Sequence, residues 1–371
     1  MSGNEPISVI VDDGGITLNG KTIETNSSHI FIHDSHSEAK DERIVTRTVD
    51  ATSVRTVTVR TDFGAIAVEP STGSARIGVA ATITLGENNL SSADQTKYLS
   101  GFTIPDTVDG DNYTARVVPP ADLPDEVRWN VSYRVTVPPS VALDLKSENG
   151  SVVVRDTKTI GKILARSEFG AITVANAGTT VDAQTENGSV TIESKEKRDS
   201  VLARSQFGAI SVSGPARTVD VKTENGAVSI DGAANAEKVT ARSSFGAINL
   251  EKVGGTVDAQ TENGAVHYSG TPKALTLQSE FGAIAAELYD CATLKDATLK
   301  TTNGSVTVIL PASASVNITG DTGNGKIDTS GFPANITGDS FKKSVKASLN
   351  GGKAPMSLST EFGSLTITAR Q

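Results

Sequence analysis

The side chains with the clearest potential for metal chemistry lie near the amino terminus. Three of the four histidines, His29, His33 and His36, surround Asp34, and imidazole and carboxylate groups are common zinc ligands. Their spacing matches no known metal motif, and they fall on and just beyond a predicted terminal strand. We therefore predict an exposed strand, with no metal site and no other cofactor.

A second group of carboxylates, Asp106, Asp109 and Asp111, crowds a turn around Gly110. Calcium prefers oxygen ligands of this kind, but the spacing does not fit an EF-hand loop and no glutamate follows at the required distance. The group predicts a solvated acidic turn.

A third set combines carboxylates with a basic group, as in β-helical enzymes that degrade acidic polysaccharides. These residues, Asp182, Arg204 and Asp220, recur in a repeat, whereas a catalytic site should break the repeat at one coil. The sequence also has no Gly-x-Ser-x-Gly elbow, no phosphate loop and no His-Glu-x-x-His motif. It therefore predicts a protein that is not an enzyme.

The composition argues against several classes of partner and anchor. The formal net charge is −9, which disfavours nucleic acid and anionic membranes because both attract basic surfaces. No apolar run approaches the roughly 18–20 residues of a transmembrane span. The first residues, Met1 to Pro6, lack the features of a signal peptide, which predicts a cytoplasmic chain or one without its targeting segment. Cys291 is the single cysteine, so no intrachain disulfide can form.

The elements that must position these groups come from one short phrase, which returns nine times between Leu143 and Val308. One form reads Ser-Glu-Asn-Gly-Ser-Val or Thr-Glu-Asn-Gly-Ala-Val, and the other reads Arg-Ser-x-Phe-Gly-Ala-Ile. From Gly150 to Gly264 the glycines are alternately 20 and 18 residues apart, so a unit of about 19 residues is nested in one of 38. Such a period marks an architecture in which each unit packs on its neighbours.

Apolar residues alternate on both sides of each glycine, which indicates half-buried strands. The alternation restarts with shifted parity after the glycine, so we expect a corner or tight turn that uses positive φ. Asn-Gly between alternating strands is typical of an antiparallel hairpin, whereas a β-solenoid would turn there and stack equivalent positions in parallel. Phe-Gly fills the same slot, and phenylalanine disfavours the hairpin turn.

We therefore favour an all-β, repeat-built β-solenoid, similar to a β-helix. Its coils of about 19 residues are paired into a repeat of about 38 residues, with irregular capping strands at both ends. The predicted segments are capping strands at 1–56, a first repeat copy with a long insertion at 57–142, the regular solenoid at 143–310, and irregular repeats with a cap at 311–371. The insertion, roughly 86–125, includes a predicted helix near Ala93–Leu99 and should shield the strand edges at the open end.

The residues that precede the corner glycines form two predicted ladders that point inward. The asparagines would bond to one another or to the corner backbone, and the phenylalanines would supply most of the bulky core. If each coil has about 19 residues, asparagine and phenylalanine alternate in one stack. If each coil has about 38 residues, each residue type forms its own ladder. The ladder residues are Asn149, Asn187, Asn225, Asn263, Asn303, Phe169, Phe207, Phe245 and Phe281.

Two charged columns on the outside of the solenoid form the predicted lateral binding face. Stacked carboxylates repel, and an adjacent basic column can offset this through diagonal pairs, each worth about 0–1 kcal/mol when exposed. The basic column contains Lys146, Arg166, Arg204, Lys222, Arg242 and Lys300, and the acidic column contains Glu148, Glu168, Glu186, Glu224, Glu262 and Glu280.

The run from Trp129 to Pro138, followed by Leu143 to Val154 and the serial Gly-x-Ile/Val-x-Val phrases, resembles the bacterial putative adhesin family. The resemblance covers roughly residues 127–310. It implies a β-repeat domain of uncharacterised function, often found in envelope-associated proteins, and therefore a place at the cell envelope or surface. No catalytic residues are defined for that family, so none are carried over.

Together these features predict a non-enzymatic structural or adhesin-like module. Its repetitive charged lateral face would serve surface attachment or the binding of a protein or glycan. One alternative is a self-associating protein that forms filaments or a scaffold through its strand edges. A second alternative is a β-helix enzyme that acts on polysaccharides.

Overall fold

The computed structural model describes residues 9–12, 15–18, 21–23, 42–71, 75–86, 89–158, 161–329, 335–337 and 343–370. The chain divides into two compact units, Met1–Thr179 and Thr180–Gln371. The predicted strand around His29 and His33, with the metal hypothesis that included Asp34 and His36, lies outside the described residues.

The first unit consists of strands and one described helix. Its three amino-terminal strands form an antiparallel sheet. The helix begins after Ser91, whose Oγ accepts a hydrogen bond from the backbone N of Asp94 at 3.2 Å, so the predicted short helix is confirmed, with a hydroxyl cap at its start. The elements are β1 (Val9–Asp12), β2 (Gly15–Leu18), β3 (Lys21–Ile23), β4 (Glu42–Asp50), β5 (Thr56–Phe63), β6 (Ile66–Pro70), β7 (Arg76–Leu85), α1 (Ser92–Gly101), β8 (Val108–Asp109), β9 (Asn112–Ala115), β10 (Trp129–Val137), β11 (Ala142–Asn149), β12 (Val152–Arg155), β13 (Lys162–Ser167) and β14 (Ile172–Ala175).

The described elements of the second unit are all strands. They are β15 (Thr180–Thr185), β16 (Val190–Glu193), β17 (Arg198–Ser205), β18 (Ile210–Ser213), β19 (Ala216–Thr223), β20 (Val228–Asp231), β21 (Lys238–Ser243), β22 (Ile248–Thr261), β23 (Val266–Ser279), β24 (Ile284–Leu288), β25 (Asp296–Thr301), β26 (Val306–Pro311), β27 (Val316–Thr322), β28 (Ile327–Asp328), β29 (Asn335–Thr337), β30 (Ser344–Leu349), β31 (Ala354–Thr360) and β32 (Leu365–Arg370).

Equivalent strands of successive coils pair in parallel, which confirms the β-solenoid. In the first unit Leu143 pairs with Val57 on one side and Ile163 on the other. In the second unit Val201 pairs with Val181 and Val219, so each coil contains one corner phrase, and longer and shorter coils alternate as the glycine spacing does. The strands on either side of an Asn-Gly phrase belong to two different parallel ladders, so the hairpin interpretation is wrong.

The core comes from the alternation predicted for each strand. Val181 and Ala183 before a corner, and Val190 and Ile192 after it, are all fully buried. Each strand therefore turns one row of small or branched apolar side chains inward, as expected for strands with one solvated face. A narrow core of this kind needs few aromatic residues.

The insertion in the first unit supplies a cap. Strand β9 pairs in parallel with β5, with Asn112 opposite Thr56, so it covers a strand edge that would otherwise be free to pair with another chain. Strand β10 runs antiparallel to β7 and parallel to β6. The Trp129 ring at its start meets the Phe102 ring edge-on, with centroids 5.2 Å apart.

The last coil of the second unit is out of sequence order. Strand β31 pairs in parallel with both β25 and β27, so the final repeat copy lies between two coils that precede it in the chain. Strand β30 then pairs antiparallel with β27, and β29 pairs antiparallel with β30. These antiparallel strands end the parallel stack, as expected of a capping segment.

Candidate functional site

The corners are built on a buried ladder of hydroxyl groups that the sequence interpretation missed. Three residues before most corner glycines is a serine or threonine whose Oγ donates to the carbonyl oxygen of the corner glycine in the neighbouring coil. Ser243 donates to Gly226 at 2.9 Å, and Thr261 donates to Gly246 at 2.9 Å. The same bond is made by Ser147, Ser167, Ser205, Thr223, Ser279, Thr301, Thr322 and Thr360, at 2.8–2.9 Å.

The corner glycines are required by stacking and not by backbone conformation. A Cβ added at Gly226 would overlap the carbonyl oxygen of Gly208, and one at Gly246 would overlap that of Gly226. Among the described corner glycines only Gly64 has a positive φ, at 137°. The expectation that positive φ explains these glycines was therefore wrong. The glycines are required because the Cα of each corner packs against the carbonyl group of the corner in the neighbouring coil.

The asparagine and phenylalanine ladders point outward, so the prediction that they fill the core was wrong. The phenylalanines expose more than half of their surface, from 56% at Phe169 and Phe207 to 61% at Phe245, and Phe281 is similar. The asparagines are exposed as well: Asn149, Asn187, Asn225, Asn263 and Asn303. Only the segment from Glu148 to Ser151 separates the inward side chains of Ser147 and Val152, and a corner this tight leaves no room for them inside.

Asparagine and phenylalanine alternate in one stack, because each coil contains a single corner phrase. In the second unit the backbone N of Asn225 donates to the Gln206 oxygen, and that of Phe245 donates to the Glu224 oxygen, both at 2.8 Å. We call the stacked residues of this unit the corner ridge. It consists of Asn187, Phe207, Asn225, Phe245, Asn263, Phe281, Asn303, Phe362 and Asn324.

The corner ridge keeps its alternation through the reordered last coil. Phe362 bridges to Asn303 on one side, and the backbone N of Asn324 donates to the Glu361 oxygen on the other at 2.7 Å. In the chain Asn303 and Asn324 follow one another without an intervening phenylalanine. The alternation is thus complete in space but not in sequence.

Two members of the basic column, Arg204 and Arg242, pair with aspartates of the next coil and not with the predicted glutamate column. The Arg204 guanidinium group donates two hydrogen bonds to Asp220 of the next coil. One goes from Nη2 to the carboxylate Oδ2 at 2.7 Å, and the other goes from Nη1 to the backbone oxygen at 2.8 Å. Arg242 repeats this arrangement with Asp258, and in the first unit Arg60 pairs with Asp144 at 2.8 Å. The predicted diagonal to the glutamate column occurs at Lys146, whose Nζ lies 3.9 Å from Glu148 and 3.6 Å from Glu168.

The predicted polysaccharide-acting residues lie within this structural pattern. Arg204 and Asp220 form the recurring ion pair described above, and Asp182 accepts a hydrogen bond from Gln184 at 3.1 Å. Register places Leu202 between Asp182 and Asp220, so the two carboxylates are two coils apart. Their contacts are those of a repeating surface.

An open groove of about 640 Å³ runs along the second unit between the basic column and the corners. Its floor contains the buried hydroxyl ladder, with Thr223, Ser243, Thr261 and Ser279. One wall carries Lys222, Arg242, Gln260, Gln278 and Lys300, and the other carries Ser244, Glu262, Glu280 and Thr302. We call this the lateral groove. A second groove of about 490 Å³, lined by Asp321, Lys343 and Glu361, shares Lys300 with it.

On the wall that carries the basic column, the middle of the lateral groove is neutral and its two ends are cationic, whereas Glu262 and Glu280 make the middle of the opposite wall acidic. Gln260 Nε2 donates to Gln278 Oε1 at 2.9 Å, which leaves the Gln278 amide group free to donate and the Gln260 oxygen free to accept. Among the residues that the structure describes, Lys222 and Lys300 form no ion pair. They are four coil steps apart in register, or about 19 Å. The glutamines were missed because they replace lysine or arginine in the repeat.

The remaining candidates for metal or thiol chemistry within the described residues are Asp106, Asp109, Asp111 and Cys291. Asp106 forms an ion pair with Arg47 at 2.9 Å, and within the described ranges no three His, Cys, Asp or Glu side chains are placed to hold a metal ion. Cys291 is buried, which raises the pKa of its thiol to about 11 and keeps it protonated at neutral pH. None of the helical residues that the structure describes forms a segment able to cross a membrane.

Part of the chain is similar to a known protein family. Residues 195–368, which contain the lateral groove and most of the corner ridge, match the family model named Toastrack DUF4097. No curated protein matches the sequence significantly.

Two crystal structures show a weak likeness. A putative cell adhesion protein from Clostridium sporogenes is 9% identical, with a TM-score of 0.19, over 89% of this chain and 100% of its own. A putative adhesin from Bacteroides fragilis is 10% identical, with a TM-score of 0.23, over 88% of this chain and 97% of its own. Values this low say nothing about the function of this chain. The family match confirms the predicted resemblance, and residues 195–368 are similar to the Toastrack DUF4097 family.

Proposed function

We propose that this protein is a non-enzymatic, adhesin-like module whose lateral groove binds an extended glycan. The observation that carries the proposal is the composition of the groove, since every residue that lines it is polar. Protein-binding sites take most of their affinity from aromatic and other large anchors, and this groove offers none. Its walls offer the amides of Gln260 and Gln278, the hydroxyls of Ser244 and Thr302, and charged side chains, on coils that are about 4.8 Å apart.

The chemistry of these side chains fits sugar hydroxyls. A hydroxyl group both donates and accepts hydrogen bonds, and the carboxamides of Gln260 and Gln278 do the same. Because equivalent positions are stacked in a straight line, a linear polymer can meet the same groups at several successive coils. The unpaired Lys222 and Lys300 favour a glycan that carries carboxylates near the two ends of the bound segment.

The filament alternative requires free strand edges. The outer edge of β5 carries β9, and β27 carries β30 in the antiparallel direction. These covered edges argue against growth of a β-ladder through them. The polysaccharide-acting alternative receives no support from Arg204 and Asp220, because their ion pair recurs at Arg242 and Asp258, or from Asp182, which lies two coils away from Asp220.

The proposal is tested by affinity electrophoresis and calorimetry of the purified chain with neutral, uronic acid-containing and amino-sugar polysaccharides. Binding should weaken about tenfold or more in the double variant Gln260→Ala/Gln278→Ala, because buried sugar hydroxyls would lose their partners. The double variant Lys222→Ala/Lys300→Ala should weaken binding of the acidic polymer only.

The matched control is Lys238→Ala, which removes an exposed lysine outside the groove and should leave binding unchanged. Circular dichroism verifies that each variant is folded. If no polysaccharide binds, or if the glutamine double variant binds as well as the original chain, the groove is not a glycan site. Release of new reducing ends or unsaturated products would instead identify an enzyme.

A further inference from the structure

The corner ridge exposes large aromatic side chains that do not contribute to the core. Phe207, Phe245, Phe281 and Phe362 each leave 56–61% of their surface in water, while the branched apolar residues that begin the next strand, such as Ile210 and Ile248, are buried. The phenylalanines recur at every second coil, about 9.6 Å apart. A straight row of exposed aromatic side chains is typical of an interaction surface.

We propose that the corner ridge is a self-association surface, on which two copies of this chain pack ridge against ridge with their coils stacked in the same direction. The partner must present groups along a straight line at the same interval. A second copy does so by construction, because its ridge has the same coil rise and the same alternation. The ridge borders the lateral groove and shares Glu262 and Glu280 with it, but the ridge phenylalanines and asparagines do not line the groove, so the inference does not depend on the proposed glycan binding.

The two flanks of the corner ridge determine the orientation of the copies. One flank is a column of small exposed residues: Ser189, Ala209, Ala227, Ala247, Ala265, Ala283 and Ser305. The other flank contains the carboxylates Glu186, Glu224, Glu262, Glu280 and Glu361. A two-fold axis parallel to the ridge places each glutamate column opposite the partner's small column, whereas antiparallel packing would place carboxylates against carboxylates. Like charges held close together repel, so parallel packing is favoured.

The asparagines set the register of this arrangement. With a two-fold axis along the ridge, each residue faces its own copy, so Phe245 meets Phe245 and Asn225 meets Asn225. Phenylalanine pairs gain from offset or edge-on contact, and facing carboxamides can donate to and accept from each other. A shift by one coil would set phenylalanine over asparagine and bury amides without partners, which is unfavourable.

The available area is sufficient for a dimer of moderate size. A phenylalanine side chain that is half exposed contributes about 100 Å², so the four phenylalanines supply about 400 Å² per copy. The asparagines and the small flanking column add to this, and a standard interface buries about 800 Å² per partner. The small residues allow the two backbones to approach closely along the whole ridge.

Sedimentation velocity and light scattering over a wide concentration range test the proposal with the full chain. We expect a monomer–dimer equilibrium whose dissociation constant rises about tenfold or more in Phe245→Ser and further in Phe207→Ser/Phe245→Ser. The control is Tyr289→Ser, which removes another exposed aromatic residue away from the ridge and should leave the constant unchanged. Because these side chains are exposed, the variants should fold, which circular dichroism checks.

Disulfide trapping tests the parallel arrangement separately. In a parallel dimer Asn225→Cys and Asn263→Cys should each form a disulfide with the same residue of the second copy, since facing positions come within bonding range. The buried Cys291 should not compete, and Thr191→Cys on the adjacent sheet is the negative control.

Several outcomes would overturn the proposal. These are a monomer at every concentration, a dimer that is unaffected by Phe245→Ser, or cross-linking at only one of the two asparagine positions, which would indicate antiparallel packing. Loss of glycan binding in Phe245→Ser, with no change in assembly, would assign the ridge to the glycan instead.

Discussion

At the scale of single residues, the corners are held by two groups that act together. The glycine permits one corner to lie directly on the next, and the hydroxyl three residues earlier binds the carbonyl oxygen that this close approach leaves in the core. The repeated phrase is therefore explained by stacking: a glycine for contact and a serine or threonine for the hydrogen bond. The asparagine and phenylalanine between them are free to serve the surface.

Replacing a corner glycine should be far more damaging than replacing its neighbour. In Gly226→Ala the new Cβ overlaps the backbone carbonyl of Gly208, which cannot move without displacing a coil. We expect a loss of about 3 kcal/mol in the free energy of unfolding, measured by urea denaturation. The control is Ala227→Ser, since serine occupies the equivalent position at Ser189 and should change stability by less than about 0.5 kcal/mol. Equal effects of the two variants would contradict the stacking explanation.

Removing one hydroxyl from the buried ladder should have a smaller, specific effect. Ser243→Ala loses the bond to Gly226 and should reduce the free energy of unfolding by about 1 kcal/mol. Ser243→Thr keeps the hydroxyl, and Thr360 shows that threonine fits before a Phe-Gly corner, so this variant should be close to the original chain. If the threonine variant is as destabilised as the alanine variant, the cost comes from packing and not from the hydrogen bond.

At the scale of elements, the order of the last coils departs from the order of the chain. Strand β31 lies between β25 and β27, and the alternation of asparagine with phenylalanine is preserved only in this spatial order. We infer that the corner pattern helps to select the position of the last coil, because register and corner type agree there.

Deleting residues 354–371 should therefore affect a segment that precedes the deletion. Strand β27 loses its parallel partner β31, so residues 312–353 should become sensitive to proteolysis, while residues 180–311 stay protected. Limited proteolysis with mass spectrometry measures this, and an intact chain carrying Lys353→Ala in the preceding loop is the control. Protection of residues 312–353 after the deletion would mean that the last coil does not hold them.

The cap of the first unit should weaken in alkaline solution. Burial raises the pKa of both Tyr113 and Tyr133 to about 12, above the value near 10 of an exposed phenol. The unfolded chain therefore loses these protons first, so stability is complete below pH 10 and falls as the pH rises from 10 to 12. The fluorescence of Trp129, the single tryptophan, reports unfolding of this cap.

Two phenylalanine variants separate the titration from the hydrogen bonds. Tyr113→Phe should remove about 2 kcal/mol of the alkaline loss, at little cost at neutral pH because its bond to the Pro105 oxygen is long, at 3.4 Å. Tyr133→Phe leaves the buried backbone N of Val117 without the oxygen that it meets at 2.8 Å, so it should lose about 1–3 kcal/mol at neutral pH. An unchanged alkaline loss in both variants would mean that other groups control it.

At the scale of the whole molecule, polar and apolar surfaces are divided between two faces of the second unit. The lateral groove offers repeated hydrogen-bonding groups, and the corner ridge offers repeated aromatic groups, so one stack of coils can present a ligand surface and an assembly surface together. The net charge of −9 keeps separate copies apart unless a specific surface joins them.

Assembly of the whole chain should stop at a small closed species. Covered strand edges at β5 and β27 remove the usual template for ladder growth, and a two-fold contact along the ridge is satisfied by one partner. Negative-stain images and light scattering of concentrated samples should therefore show no filaments. Species that grow steadily with concentration would support the filament alternative that the sequence left open.

The sequence by itself determined the strands, the repeat of about 19 residues nested in one of 38, and the position of the long insertion. These features follow from local alternation and from the glycine period, which act over short stretches of chain. It did not determine which way Asn225 and Phe245 face, because that depends on how much room a stacked corner leaves inside. Only the tertiary structure decided three further features, since each depends on which coils become neighbours. These are the pairing of Arg204 with Asp220, the hydrogen bond between Gln260 and Gln278, and the position of β31.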